Sequence, residues 1–205
     1  MRADARRNHE QVLRAARDVF LERGLDAPLE DVARRAGVGI GTLYRRFGDR
    51  DGLVRAVLLE ALAQSRDAAE EALADEDEAY DGLDRLATYL RRMLDARVAA
   101  IMPMAVARGA DPALDEPRET SARAVQALVT AAHDDGTLGK EVSFGDVGTL
   151  LVRLSRPLPG GVDPALDSEL AHRQLEILLA GLRAGVPALE GEGPSRGDLR
   201  RGRSG

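Results

Sequence analysis

The run Gly39-Ile40-Gly41-Thr42-Leu43-Tyr44-Arg45-Arg46-Phe47 sorts its residues by chemistry when wound as a helix. Leu43 and Phe47 lie four apart and share one face, where they can anchor the helix on an apolar neighbour. Gly41, Thr42, Arg45 and Arg46 then project from the other side. Gly41 leaves room for close backbone approach, and Thr42 can bond a base edge or a phosphate. The forked donors of Arg45 and Arg46 suit guanine edges or phosphate oxygens. Tyr44 offers a hydroxyl to a phosphate, and Arg50, just beyond the run, can grip another. Hydrogen-bonding residues on an apolar footing are what a helix needs to enter the major groove of double-stranded DNA.

Other chemistries find little support. The chain has no cysteine, which excludes disulfides and thiolate metal sites. His9, His133 and His172 are scattered, and no carboxylate pairs with a histidine at a metal-binding or catalytic spacing. We therefore expect no metal, no cofactor, no catalytic residue and no enzyme activity. The N-terminus lacks the apolar core of a secretory signal, and no apolar stretch approaches the roughly 18 residues of a membrane span. A soluble cytoplasmic protein with no membrane partner is the expectation.

The net charge of −6 is unevenly shared. Residues 1–56 hold 12 Arg against 9 Asp and Glu, an excess of +3, so the remainder carries −9. A basic head on an acidic body agrees with nucleic-acid contact at one end.

The elements that must position these residues are all helical. At 44% hydrophobic and 3% aromatic, the chain builds its apolar volume from Ala, Leu and Val, residues that fill helix–helix seams. Val12, Leu13, Ala16, Val19 and Phe20 repeat at helical spacing in a first helix over about 8–23, stopped by Gly24. A short second helix begins at Pro28 and ends at Gly37. The reading run follows within a few residues, so the pair forms a helix-turn-helix. Asp49 can cap a long fourth helix running to about residue 75, after which Asp75-Glu76-Asp77-Glu78 makes a polar corner. Further helices are expected from Leu83 to Val98, from about Glu119 to Asp135, from Ser143 with its Asp146 capping box, and over about 164–184. Pro103 breaks the apolar stretch from Val98 to Ala107, and residues 109–117 read as a loop. These elements make an all-α chain of about nine helices. Residues 1–50 form a helix-turn-helix head, 51–188 a larger helical body, and 189–205 a disordered tail.

From Arg14 to Val57 the sequence resembles the TetR family of bacterial regulators. The match rests on Ala15-Ala16, Phe20, Gly24, Val32-Ala33, Ala36-Gly37-Val38, Gly41-Thr42-Leu43-Tyr44, Phe47 and Leu53 in that order and spacing. Ser155-Arg156-Pro157-Leu158-Pro159 and the leucine-rich final helix look like an actinobacterial-type subgroup. The resemblance implies a homodimer that binds a palindromic operator and releases it when a small-molecule effector enters the body. By motif position, Thr42, Tyr44, Arg46 and Arg50 fall where family members touch DNA, and Ile40, Gly41 and Arg45 where sequence preference is commonly set. Departures from the family pattern are Gly39, Arg46 and Arg50, where a polar cap, His and Lys are frequent.

For the effector, Tyr89, Met93, Met102, Met104 and Phe144 are the expected lining, since pliable thioethers and a few polar tips suit an apolar cavity. Leu150, Leu151, Leu154, Leu175, Leu178 and Leu182 are expected at a four-helix seam between two copies, with some of them serving the chain's own core. The alternative is a helical small-molecule-binding protein or enzyme with a vestigial head.

Overall fold

Wherever Ala, Leu and Val recur at three- and four-residue spacing, the chain winds into a helix. The structure, a computed structural model, describes residues 2–75, 77, 79–103, 111–185 and 193–194, with the backbone alone at 2–6 and 98. Among the described residues there are eight α-helices, two short 3-10 turns and no strand.

The first four build the head. Helix α1 (Arg2–Arg23) starts before the expected Asn8 and stops where Gly24 adopts φ 86°. Helix α2 (Leu29–Ala36) begins after Pro28, which caps it, and ends on left-handed Gly37. There the Val38 N–H donates to the Ala33 carbonyl at 3.0 Å, a Schellman-type closure. Helix α3 (Ile40–Phe47) follows after the three residues Gly37, Val38 and Gly39. Asp49 then caps α4 (Arg50–Leu73), accepting the Gly52 N–H at 2.8 Å.

The body adds α5 (Gly82–Ala96), α6 (Asp115–Asp134), α7 (Phe144–Leu154) and α8 (Pro164–Ala184). The Ser143–Asp146 capping box forms as the spacing predicts, and a second one, Asp81–Asp84, starts α5. Two further boundaries differ from the sequence expectation. Helix α6 begins at Asp115 and absorbs Pro117, because a proline in the first turn forgoes an N–H that has no partner there anyway. Helix α5 ends at Ala96, two residues short of the expected Val98, since Arg97 turns left-handed at φ 49°. The Arg97 guanidinium reaches the buried Asp167 at 2.7 Å, whose other oxygen accepts the Leu158 N–H at 2.9 Å. That anchored side chain holds a backbone conformation more often taken by glycine. The expected tail lies outside the described residues except Gly193 and Pro194; the Ser143 hydroxyl donates to the Pro194 carbonyl at 3.4 Å.

Two apolar cores result, and α4 contributes to both. Leu53, Val54, Val57, Leu58 and Leu62 close the head core with Val12, Ala16, Phe20, Val32 and Leu43. Ala61, Ala68, Ala69 and Ala72 join the body core with Leu86, Leu90, Val125, Leu128 and Val129. The head core therefore extends past residue 50 and also takes in Ile101 and Leu114. Helix α4 packs most extensively on α6, where alanines let the two backbones come close.

Gly82 marks a second close approach. A Cβ there would sit 2.5 Å from the Ala132 Cα, while the Gly82 N–H is held by Asp135 at 2.6 Å. Backbone offers no soft neighbour to yield, so Gly82→Ala should cost about 1–3 kcal/mol. Urea unfolding followed by circular dichroism checks this, and a variant as stable as the parent would mean α5 and α6 can part at no cost.

Candidate nucleic-acid interface

The short α3 is held by its apolar side. Leu43 is buried, and Phe47 and Ile40 pack partly buried against the head core. The opposite side is open. Gly41, Arg45 and Arg46 are exposed, Thr42 is half-buried, and Tyr44 keeps 50% of its surface accessible. A Cβ on Gly41 would meet nothing within 4 Å, so its bareness leaves free space on the outer face. The α3 N-cap, Gly39, offers no side-chain oxygen to the first amides. The Thr42 N–H is satisfied instead by the Gly39 carbonyl at 2.9 Å.

Ion pairing separates the head's arginines. Arg35 grips Glu22 through two bonds at 2.6 and 2.8 Å, bracing α2 on α1. Arg34 and Arg23 both bond Asp31, and these contacts hold its carboxyl below the usual range. Arg45 has no acidic partner among the described residues.

Arg50, expected to grip a phosphate, has a structural task in the head. Its Nη1 donates to the carbonyls of Leu25 (3.3 Å) and Ala27, fastening the α1–α2 turn to the start of α4. Behind the head, a cleft of about 220 Å³ opens between α1 and α4, lined by Glu10, Leu13, Arg14, Arg17, Val57, Glu60 and Gln64. Arg17 donates to Gln64 at 3.4 Å and Gln64 to Glu60 at 3.0 Å. Burial lowers the pKa of Arg17 and raises that of its neighbour Asp18.

The residues expected at an effector site do not all come together. Tyr89 and Met93 are buried in the body core, with Phe144 packed against it. Met102 packs on the head core instead, and Met104 lies outside the described residues. Sequence reading missed the polar thread beside Tyr89, whose hydroxyl meets the Ser65 hydroxyl at 3.0 Å. The Ser121 hydroxyl in turn donates to Ser65 at 3.0 Å, so α4, α5 and α6 are linked inside the body. Burial pushes the Tyr89 phenol up to about 12.

The seam leucines also divide. Leu151 and Leu175 fill the chain's own core, and Leu154 and Leu182 lean on it. Leu150 is half-buried and Leu178 exposed. Sequence reading overlooked Ile177 and Leu166, 61% and 47% exposed on α8. One isoleucine among leucines gave no periodic signal of its own.

A family model described as bacterial regulatory proteins, tetR family, matches residues 12–57, which hold this helix-turn-helix. A second, the C-terminal domain of SbtR-like transcriptional regulators, matches residues 81–184. The chain belongs to the TetR family. It is a DNA-binding transcriptional regulator with the helix-turn-helix head and helical body of that family. The TetR regulator SCO0520 of Streptomyces coelicolor is 32% identical, with a TM-score of 0.59 over 85% of this chain and 98% of that one. LfrR of Mycobacterium smegmatis, solved with proflavine, shares the fold at 21% identity and a TM-score of 0.66, over 90% and 99% of the two chains. The Staphylococcus aureus HTH-type regulator SAR0097 is 33% identical over 101 residues, 48% of this chain. This TetR chain spans about half the length of that curated relative.

Arg50 and Tyr44 should separate in experiment. Replacing Arg50 with Met removes charged hydrogen bonds from a half-buried turn and should cost about 1–3 kcal/mol of stability. Tyr44→Ala should leave the melting temperature within a few degrees yet weaken binding to every duplex alike. Calorimetry alongside fluorescence anisotropy reads both; loss confined to one base pair would show that Tyr44 reads sequence.

Proposed function

We propose that this regulator is a homodimeric repressor that grips a palindromic operator and lets it go when a small molecule enters the body. The observation that carries the reading is the outer face of α3. It presents Thr42, Tyr44, Arg45 and Arg46 around the open Gly41, on a helix anchored by Leu43. Ile40, Gly41 and Arg45 set sequence preference, while Tyr44 and Arg46, with the remaining donors of Arg50, bind phosphates.

A dimer is supported by α8. Ion pairs tie that helix to α5 and its caps: Arg97–Asp167, Arg91–Glu176, and Arg183 with Asp81 and Asp84. Held on that side, α8 turns Leu166, Ile177 and Leu178 outward, apolar surface that a second copy of the chain can cover. A second copy of the same face satisfies it under two-fold symmetry, which also matches two heads to two half-sites.

The effector site is assigned to the body around Tyr89 and Met93, with the Ser65–Ser121 hydroxyls as its polar feature. The proflavine complex of LfrR supports a small molecule as the effector. The regulator works in the cytoplasm, where its DNA is, and binds without catalysing. No described helix is long and apolar enough to cross a membrane.

The test is an electrophoretic shift against the DNA upstream of the chain's own gene. The expected site is an inverted repeat with half-sites about one helical turn apart, and affinity should fall on a log–log salt plot by about 0.9 per phosphate neutralised. No shift at low salt would sink the reading. Ile177→Glu should sediment as a monomer and lose operator affinity together; a variant that stays dimeric places the seam elsewhere.

A further inference from the structure

Phe47 is touched from two sides of the head. The His9 imidazole of α1 stacks on its ring, with centroids 5.8 Å apart and planes 16° from parallel. The Arg46 guanidinium carbon lies 6.0 Å from the same ring centroid. His9 is half-buried, and its Nδ1 is buried without a hydrogen-bond partner. The charged groups facing the imidazole are Arg46 from α3, Glu60 from α4, and Glu10 on its own helix. It is the only histidine in residues 1–56. The other two lie in the body, His133 against the Val142 carbonyl and His172 between Ser168 and Asp95.

We propose that His9 is a positioning residue of the DNA interface: through Phe47 it sets where Arg46 stands, and it takes up a proton when DNA binds. The proposal rests on Arg46 facing DNA.

A flat ring stacked on Phe47 limits how far the C-terminal turn of α3 can roll, and Arg46 rides on that turn. A neutral imidazole fits this place, because a cation would face Arg46 with part of its hydration removed. Burial and then Arg46 accordingly hold the His9 pKa below its ordinary value, against the opposing pull of Glu60 and Glu10. Phosphates drawn to Arg46 reverse the local field and favour the imidazolium. The pKa is thus lower in the free protein than in the complex, so operator affinity rises as pH falls through the interval between them. Stability of the free protein runs the other way. The unfolded chain, with His near 6.5, binds the proton more readily than the folded head, so acidification weakens the free fold. A purely structural histidine would show the second effect and not the first.

The experiment measures affinity for a fluorescein-labelled duplex carrying the inverted repeat that the wild-type protein selects. Wild type, His9→Phe and His9→Ala are compared at pH 7.5 and 5.5 at constant ionic strength, with melting temperatures confirming that each variant is folded. His9→Phe keeps the stack and cannot titrate. It should match wild type at pH 7.5 and lack the gain on acidification, which in wild type is about tenfold for each unit by which DNA raises the His9 pKa. His9→Ala should bind several-fold more weakly at pH 7.5, a loss that His9→Phe restores. One shared pH profile for wild type and His9→Phe overturns the proton coupling. Wild-type affinity in His9→Ala overturns the positioning. If the wild-type protein selects no duplex at either pH, the DNA-binding reading falls and takes this proposal with it.

Discussion

Everything in this regulator hangs on one helix having to satisfy two cores. Helix α4 spans 24 residues, about 36 Å at 1.5 Å per residue. Its first half buries Leu53, Val54, Val57, Leu58 and Leu62 in the head, and its second half buries Ala68, Ala69 and Ala72 in the body. The composition changes along the way because the neighbours change. Bulky aliphatics fill the space between α1, α2 and α3, whereas alanines let α4 lie close against α6. A rigid shaft of this kind cannot be displaced at one end without disturbing packing at the other, since protein cores resist continuous deformation.

That constraint gives the site its logic. Helix α3 is only eight residues long and has no side-chain cap, so it depends on tertiary packing for its existence. Leu43 and Phe47 supply the footing, and Arg50 pins the α1–α2 turn to the first residue of the shaft. The outward residues of α3 are therefore placed by the same contacts that fix α4. An effector acting on the body can reach them only by favouring one setting of that shaft over another. The Tyr89–Ser65–Ser121 thread joins α4 to both of its body neighbours, which is where such a preference would be applied.

Much of this was legible in the sequence. The helix-turn-helix could be read because its signals are local: Gly37 at a left-handed cap, Asp49 at an N-cap, and Leu43 and Phe47 four residues apart. The Ser143–Asp146 box was readable for the same reason. What depended on distant partners was not. The end of α5 is set by Arg97 reaching Asp167, 70 residues away, a pairing that no local rule announces. Met102 has the same apolar character as Met93 yet packs on the other core, because composition does not say which core a residue joins. Leu175 and Leu178 are indistinguishable by type, but three positions around a helix put one inside and the other on the surface. His9 did carry a signal. It lies three and four residues before Val12 and Leu13 on the inner face of α1, a place where a histidine must stack or bond to something.

The proposed repression requires that head and body communicate through α4. Amide hydrogen exchange along that helix, measured on the full chain with and without bound operator DNA, tests it most directly. Coupling through a shared shaft predicts slower exchange in residues 68–72 as well as in residues 53–62 when DNA is bound, because linkage between two sites is reciprocal. Slowing confined to the head, with the body half of α4 exchanging as before, would contradict the account.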